Sequence, residues 1–245
     1  MSAGEGGTDG VAVAEPPRLR VPLAAVVLTA LFVAALVTAQ VISAKLLAVS
    51  LPVLGAVTAP GGTLAYAVTF FASDCLSELY GKEYARKVVN VAFVMNFVLL
   101  ALVFATIAVP AAEGSVDPAA FETVLGLSGN VVIGSLAAYV LSQNWDVIAF
   151  HRIRELTDGD ALWLRNVGST ATSQLIDTVV FTLVAFAVAP AVFGVGVALP
   201  SSVLASLIVG QYVLKLLIAL VDTPLVYAAV AVVRRDEADT AGVSV

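Results

Sequence analysis

The chain is predicted to be an all-α membrane protein of six transmembrane helices with both termini cytoplasmic. Three observations carry this expectation. Of its 245 residues 60% are hydrophobic and 12% charged, and the mean hydropathy is +1.01. Apolar runs recur at 22–49, 62–80, 88–109, 129–150, 166–192 and 202–233, each long enough for the roughly 20 residues that one crossing of the hydrocarbon core requires. Among the connections, finally, only every second one carries Lys or Arg.

Taken in order, residues 1–20 are Gly-rich and acidic with no apolar period, which predicts a disordered tail; residues 236–245 have the same character, leaving 21–235 as one transmembrane domain. A signal-peptide cleavage site can be drawn at Ala39. Yet the apolar run continues from Leu23 to Val49, whereas a cleaved signal has an apolar region of only about 7 to 15 residues, so the first span is expected to be permanent. Lys45, near its outer end, can snorkel to the surface. Pro52 and Pro60 separate it from the second span, which stops at Gly81; Pro110 and Pro118 bracket the connection after the third, and Pro190 and Pro200 the one after the fifth.

Orientation follows from the retention of basic residues on the cytoplasmic side. Ten of the twelve Lys and Arg fall on one side: Arg18 and Arg20, then Lys82, Arg86 and Lys87, then Arg152, Arg154 and Arg165, then Arg234 and Arg235. The alternate connections, 50–61, 110–128 and 193–201, contain none. The two remaining basic residues, Lys45 and Lys215, lie inside apolar runs.

Polar residues in the spans gather at steps of three and four, on single helix faces. The second span carries Tyr66, Thr69, Phe70, Ser73, Asp74, Ser77 and Glu78; the fourth Ser135, Tyr139, Ser142, Gln143 and Asp146; the fifth Asn166, Ser169, Thr170, Ser173, Gln174 and Asp177; the last Gln211, Lys215 and Asp222. Ser and Thr alone fit ordinary helix packing in lipid. Asp, Gln and Lys do not, because a charge at membrane depth must face a partner, a protein interior or a water-filled cavity. The pattern Ser-Gln-x-x-Asp occurs twice, at 142–146 and 173–177. If the intervening hairpin turns near residue 158, Asp146 lies level with Thr170, near Arg152 and Arg154, while Asp177 lies level with Tyr139 and at a depth comparable to Asp222. Lys215 is expected to pair with Asp177 or Asp222, since a buried charge is tolerable only when paired. The copy ending at Asp177 is where a substrate or coupling site is expected.

Other chemistries have little support. Cys75 is the sole cysteine, which excludes a disulfide or thiolate metal cluster within the chain. His151 is the sole histidine and sits beside Arg152, so no HExxH zinc motif exists. There is no GxxxxGK[ST] phosphate loop and no Gly-x-Gly-Asp motif of an intramembrane aspartyl protease. A net charge of −6 argues against nucleic acid as a partner. Neither an enzyme activity nor a cofactor or metal is expected.

Four stretches identify a resemblance: TFFASDCLSELYGKEYARK from Thr69, SQNWDVIAFHRIRE from Ser142, LWLRNVGSTATSQLIDTVVF from Leu162, and Lys215 followed by DTPLVY from Asp222. With them the chain resembles, over nearly its whole length, the queuosine-precursor transporters, also called the vitamin uptake transporter family. The resemblance implies a standalone six-helix carrier of the cell membrane, similar in architecture to the substrate-binding components of energy-coupling-factor transporters, importing a 7-deazaguanine precursor of queuosine or archaeosine for tRNA modification. Asp74, Gln143, Asp146, Ser169, Thr170, Asp177 and Lys215 fall on the family's polar motif positions. A guanine-like edge presents two adjacent N–H donors that one carboxylate can accept together. Asp74, Asp146 or Asp177 could do so, with Gln143, Gln174 or Asn166 serving the ring carbonyl and Tyr66, Phe70 or Trp145 stacking on the base. The alternative is the substrate-binding subunit of an energy-coupling-factor ABC transporter for a vitamin-like molecule. The expected partners are the lipid bilayer and a small-molecule deazapurine; which precursor, and whether the chain forms a homo-oligomer, stay open.

Overall fold

A computed structural model describes residues 21–51, 55–157, 162–196 and 198–242, and the side chains within them except those of Leu51, 162–166 and 236–242. The tail expected over 1–20 lies outside the described residues. Helix α1 spans Leu23–Ile42, α2 Gly62–Tyr80, α3 Lys82–Ala108, α4 Pro118–Leu156 and α5 Leu162–Leu183. A π-helical turn at Val184–Val188 joins α5 to the short α6, Ala189–Phe193, and α7 runs Ser201–Gly242. Among the described residues, five stretches are long and apolar enough to cross a membrane: α1, α3, α4, Val167–Phe193 and Ser201–Arg235. Helix α2 has 19 residues, but its stripe of Thr, Ser, Asp and Glu lowers its hydropathy. The chain is therefore a helical membrane protein.

Helix α4 begins at Pro118 and ends at Leu156, beyond both ends of the expected 129–150, and two further boundaries depart from the sequence reading. The first apolar run does not stay helical to Val49. Strand β1, Leu46–Leu51, pairs antiparallel with β2, Gly55–Pro60, in the register Leu46↔Pro60, Val49↔Val57 and Leu51↔Gly55. Lys45 consequently lies in the turn after α1, exposed, instead of on a helix. At the other end of the chain, α7 continues to Gly242, past the Arg235 where the span is expected to stop.

Helix ends follow local chemistry. Asp117 caps α4 by accepting from the Ala120 amide at 3.1 Å, and Pro118 occupies the first helical position, where its missing N–H costs nothing. Gly81, with φ of +85°, makes the sharp turn between α2 and α3 that a residue with a Cβ would resist.

Packing relies on small residues, which let helices approach closely when lipid supplies no hydrophobic drive between them. A Cβ on Gly134 would lie 2.8 Å from that of Ala185, so α4 and the π turn touch backbone to backbone. Gly210 of α7 lies against the Thr58 backbone, seating the hairpin on α7, and Ser206 Oγ bonds Thr58 Oγ1 at 3.2 Å. The interior has three parts: Phe32 and Leu36 with Ala72, Leu76 and Ala92; Val131 and Ala138 with Phe181 and Ala185; and Cys75 with Val226 and Val230. Outward faces of α3 and α7 expose Val94, Phe97, Val98, Leu216, Leu220 and Val221, a surface too apolar for water and suited to lipid.

Candidate functional site

A cavity of about 170 Å³ lies at the centre of the bundle, with walls from α1, α2, α3, α4, α5 and α7. Its polar lining comes from the faces that the sequence marked: Tyr66 and Ser73 of α2, Ser142 and Gln143 of α4, Gln174 and Asp177 of α5, Gln211 and Lys215 of α7. Helical spacing of three and four turns each set inward.

The central feature is an ion pair. Lys215 Nζ lies 2.6 Å from Asp177 Oδ2 and also donates to Thr178 Oγ1 at 3.2 Å. The lysine side chain is 7% exposed and that of Asp177 27%, so the lysine is sealed while the carboxylate faces the cavity. Asp177 Oδ1 accepts from Ser142 Oγ at 3.4 Å. The two Ser-Gln-x-x-Asp copies are thus interlocked, the serine that opens the first bonding the aspartate that closes the second. Burial alone would make each charge costly; pairing with additional hydrogen bonds offsets that cost.

Around the pair runs a second set of contacts. Ser135 Oγ donates to Gln40 Oε1 at 3.3 Å and lies 3.3 Å from Tyr66 Oη, while Thr182 Oγ1 donates to Gln211 Oε1 at 3.4 Å. Tyr139 donates to Asn90 Oδ1 at 2.8 Å and stacks on Phe93, centroids 4.4 Å apart. Gln40 Nε2 is buried with no hydrogen-bond partner among the described residues.

A second chamber, of about 500 Å³, lies between α2, α5 and α7. Phe70, Gln174 and Lys215 line both spaces and form the partition between them. Asp74, Thr170, Asp222 and Thr223 line only the second of the two.

Each expected site residue can now be located. Gln143, Gln174, Asp177, Lys215, Tyr66 and Phe70 line the central cavity; Asp74, Thr170 and Asp222 line the second chamber. Of the two partners expected for Lys215, the structure selects Asp177. Asp222 is not at Asp177's depth: it lies in the chamber with Thr170, two turns along α7 from the ion pair. The reason is that α5 and α7 run antiparallel with Lys215 level with Asp177, which carries Asp222 toward the Thr170 end. Asp146 lines neither space; its Oδ1 is buried without a partner, and Arg152 pairs with Glu155 instead, at 3.2 Å. Ser169 is buried and outside both linings. Trp145 is exposed and donates to Thr172 Oγ1 at 3.1 Å, away from the cavity. The Asn166 side chain lies outside the described residues. Sequence reasoning passed over Gln40, Phe93 and Asn90. For Gln40 the signal was there, a lone amide within an apolar run.

The sequence profile described as "Putative vitamin uptake transporter" matches residues 60–229. The segment includes every residue of the ion pair and both chambers except Phe32 and Leu36. Among curated proteins, the chain is 36% identical over 185 residues to a "Probable queuosine precursor transporter" of Bacillus subtilis (strain 168), covering 75% of this chain and 77% of that one. It is 34% identical over 128 residues to a protein of the same description from Haemophilus influenzae (strain ATCC 51907 / DSM 11121 / KW20 / Rd), covering 51% of each. No solved structure matches the chain. A helical membrane bundle with a polar, charge-bearing centre, matched over most of its length by this profile, belongs to the putative vitamin uptake transporter family, a family of transporters and not of enzymes.

Proposed function

We propose that the chain is a multi-pass carrier of the cell membrane, with six spans and both termini cytoplasmic, that imports a 7-deazaguanine precursor of queuosine or archaeosine without dedicated ATPase subunits. The observation that carries this reading is the Lys215–Asp177 pair at the wall of a cavity bordered by aromatic rings and amides. A guanine-like edge offers one carbonyl acceptor beside two N–H donors. An ammonium and a carboxylate held side by side present the complementary order, one donor beside one acceptor, in charge-assisted form. Of the three carboxylates considered for that edge, Asp177 is the one that lines the central cavity. Gln143 or Gln174 completes the donor and acceptor set, and Tyr66 or Phe70 covers the flat face. The relatives' description as queuosine precursor transporters supports the same substrate class. Helix α2 is counted as the sixth span because its 19 residues reach about 28 Å at 1.5 Å each, and its polar face is turned into the two chambers.

Uptake of a labelled deazapurine by a transport-deficient cell expressing this chain alone is the test. Asp177→Ala should lower uptake by at least about tenfold, the loss expected when a charge-assisted contact goes. Unchanged uptake in that variant would sink the assignment, and uptake that demands added ATPase and scaffold subunits would favour an energy-coupling-factor component.

A further inference from the structure

The second chamber holds a carboxylate that no described residue neutralises. Asp222 is 6% exposed, and it has no hydrogen bond or ion pair to any described residue. The charged and titratable groups around it are few. Helix α2 contributes Asp74, whose charge repels that of Asp222, and the Cys75 thiol. Among the described residues of α5, Val167, Thr170, Ala171 and Gln174 line the chamber, none of them charged. On α7 itself the nearest cation, Lys215, is taken up by Asp177 at 2.6 Å. It also leans the wrong way, since side chains on a helix tilt toward its N-terminus and Asp222 lies two turns C-terminal. Asp74 and Asp222 therefore face one space with no cation among the described residues left for either, and a buried carboxylate without a partner is costly. At about 500 Å³ the space is far larger than a bare ion needs and falls within the range of small-molecule clefts.

We propose that this chamber is a cation subsite in which Asp222 pairs with a protonated primary amine borne by the transported molecule. The inference rests on the transport reading above and deepens it. A flat ring seated in the central cavity reaches the chamber across the Phe70–Gln174–Lys215 partition, and an ammonium arm extending through it meets Asp222, with Asp74 adding to the attraction and Thr170 and Thr223 offering hydroxyl acceptors. A neutral arm of the same length would leave Asp222 unpaired, so the subsite selects by charge.

Two measurements test this. In the first, the purified full-length chain in lipid nanodiscs is heated with benzylamine or with benzyl alcohol, its neutral counterpart. Benzylamine should raise the unfolding midpoint and benzyl alcohol should not, and Asp222→Asn should abolish the difference. Equal shifts from the two probes on the unaltered protein, or an amine shift that survives Asp222→Asn, would overturn the subsite. In the second, cells take up labelled deazapurines carrying either an aminomethyl or a nitrile arm. Asp222→Asn should lower uptake of the amine about tenfold, as for loss of one charge-assisted contact, and leave the nitrile within about twofold. Equal transport of both compounds, unaffected by the substitution, overturns the subsite and leaves the transport reading intact. Transport of neither, with the benzylamine shift present, overturns the transport reading and leaves the subsite. Loss of both in Asp222→Asn, with uptake by the unaltered chain abolished when the proton gradient is collapsed, assigns Asp222 to a coupling proton and overturns the amine.

Discussion

At the scale of single residues, the two oxygens of Asp177 have different partners, Lys215 on one and Ser142 on the other. Removing the lysine leaves a carboxylate 27% exposed and without a cation. Lys215→Met should therefore abolish uptake and also lower stability, by about 3 kcal/mol, the lower end for one half of a buried pair because the cavity still hydrates the other half. Adding Asp177→Leu to that variant should restore the thermal midpoint without restoring uptake. Recovery of both would reduce the pair to a structural strut. A deep lysine announces its need for a counter-ion in the sequence, which is why the pair was legible there as one of two choices. The choice itself was not, because the depth of α7 relative to α5 depends on how the helices pack and not on hairpin arithmetic. Gln40 escaped notice for a related reason: its neighbours in sequence are apolar, and only folding brings Ser135 against it.

At the scale of elements, the hairpin and α7 depend on one glycine. Any Cβ at position 210 would collide with the Thr58 carbonyl, and backbone, unlike a flexible side-chain end, has nowhere to go. Gly210→Ala should cost about 1 to 3 kcal/mol, the usual range for overpacking, read as a lower midpoint of thermal unfolding in nanodiscs. An unchanged midpoint would mean that the hairpin shifts freely on α7. The strand Leu46–Leu51 could not be separated from the first helix by composition, since a short apolar run fits either state and periodicity does not arbitrate. By contrast, the break at Pro118 was visible in the sequence, yet α4 starts there under its Asp117 cap, well ahead of the span expected from 129. The π turn at Val184–Val188 had no such signature; it is imposed where α4 presents Gly134 to Ala185.

At the scale of the whole molecule, the proposed topology puts the basic connections on the cytoplasmic side of the membrane and the others outside. Cysteine replacement tests it directly, because Cys75 is buried and should stay silent toward a membrane-impermeant maleimide. Glu113→Cys, in the connection after α3, should label in intact cells, and Glu83→Cys, at the start of α3, only after permeabilisation. Labelling of Glu83→Cys from outside, with Glu113→Cys protected until permeabilisation, would show that α2 does not cross and that the six-span count is wrong. The bundle was legible because lipid demands long apolar helices with their polar groups turned inward; the division of its centre into two chambers was not, because a partition made by Phe70, Gln174 and Lys215 exists only once three helices meet. The hairpin carries a consequence for biosynthesis. Thr58 and the Ser206 that it bonds are 148 residues apart, so at roughly 5 to 20 residues per second the ribosome needs about 7 to 30 s after making one to deliver the other. Throughout that interval a two-stranded hairpin, marginal by itself, waits for the last helix to arrive, and a nascent chain stalled before Ser201 would present it to the insertion machinery and chaperones uncovered.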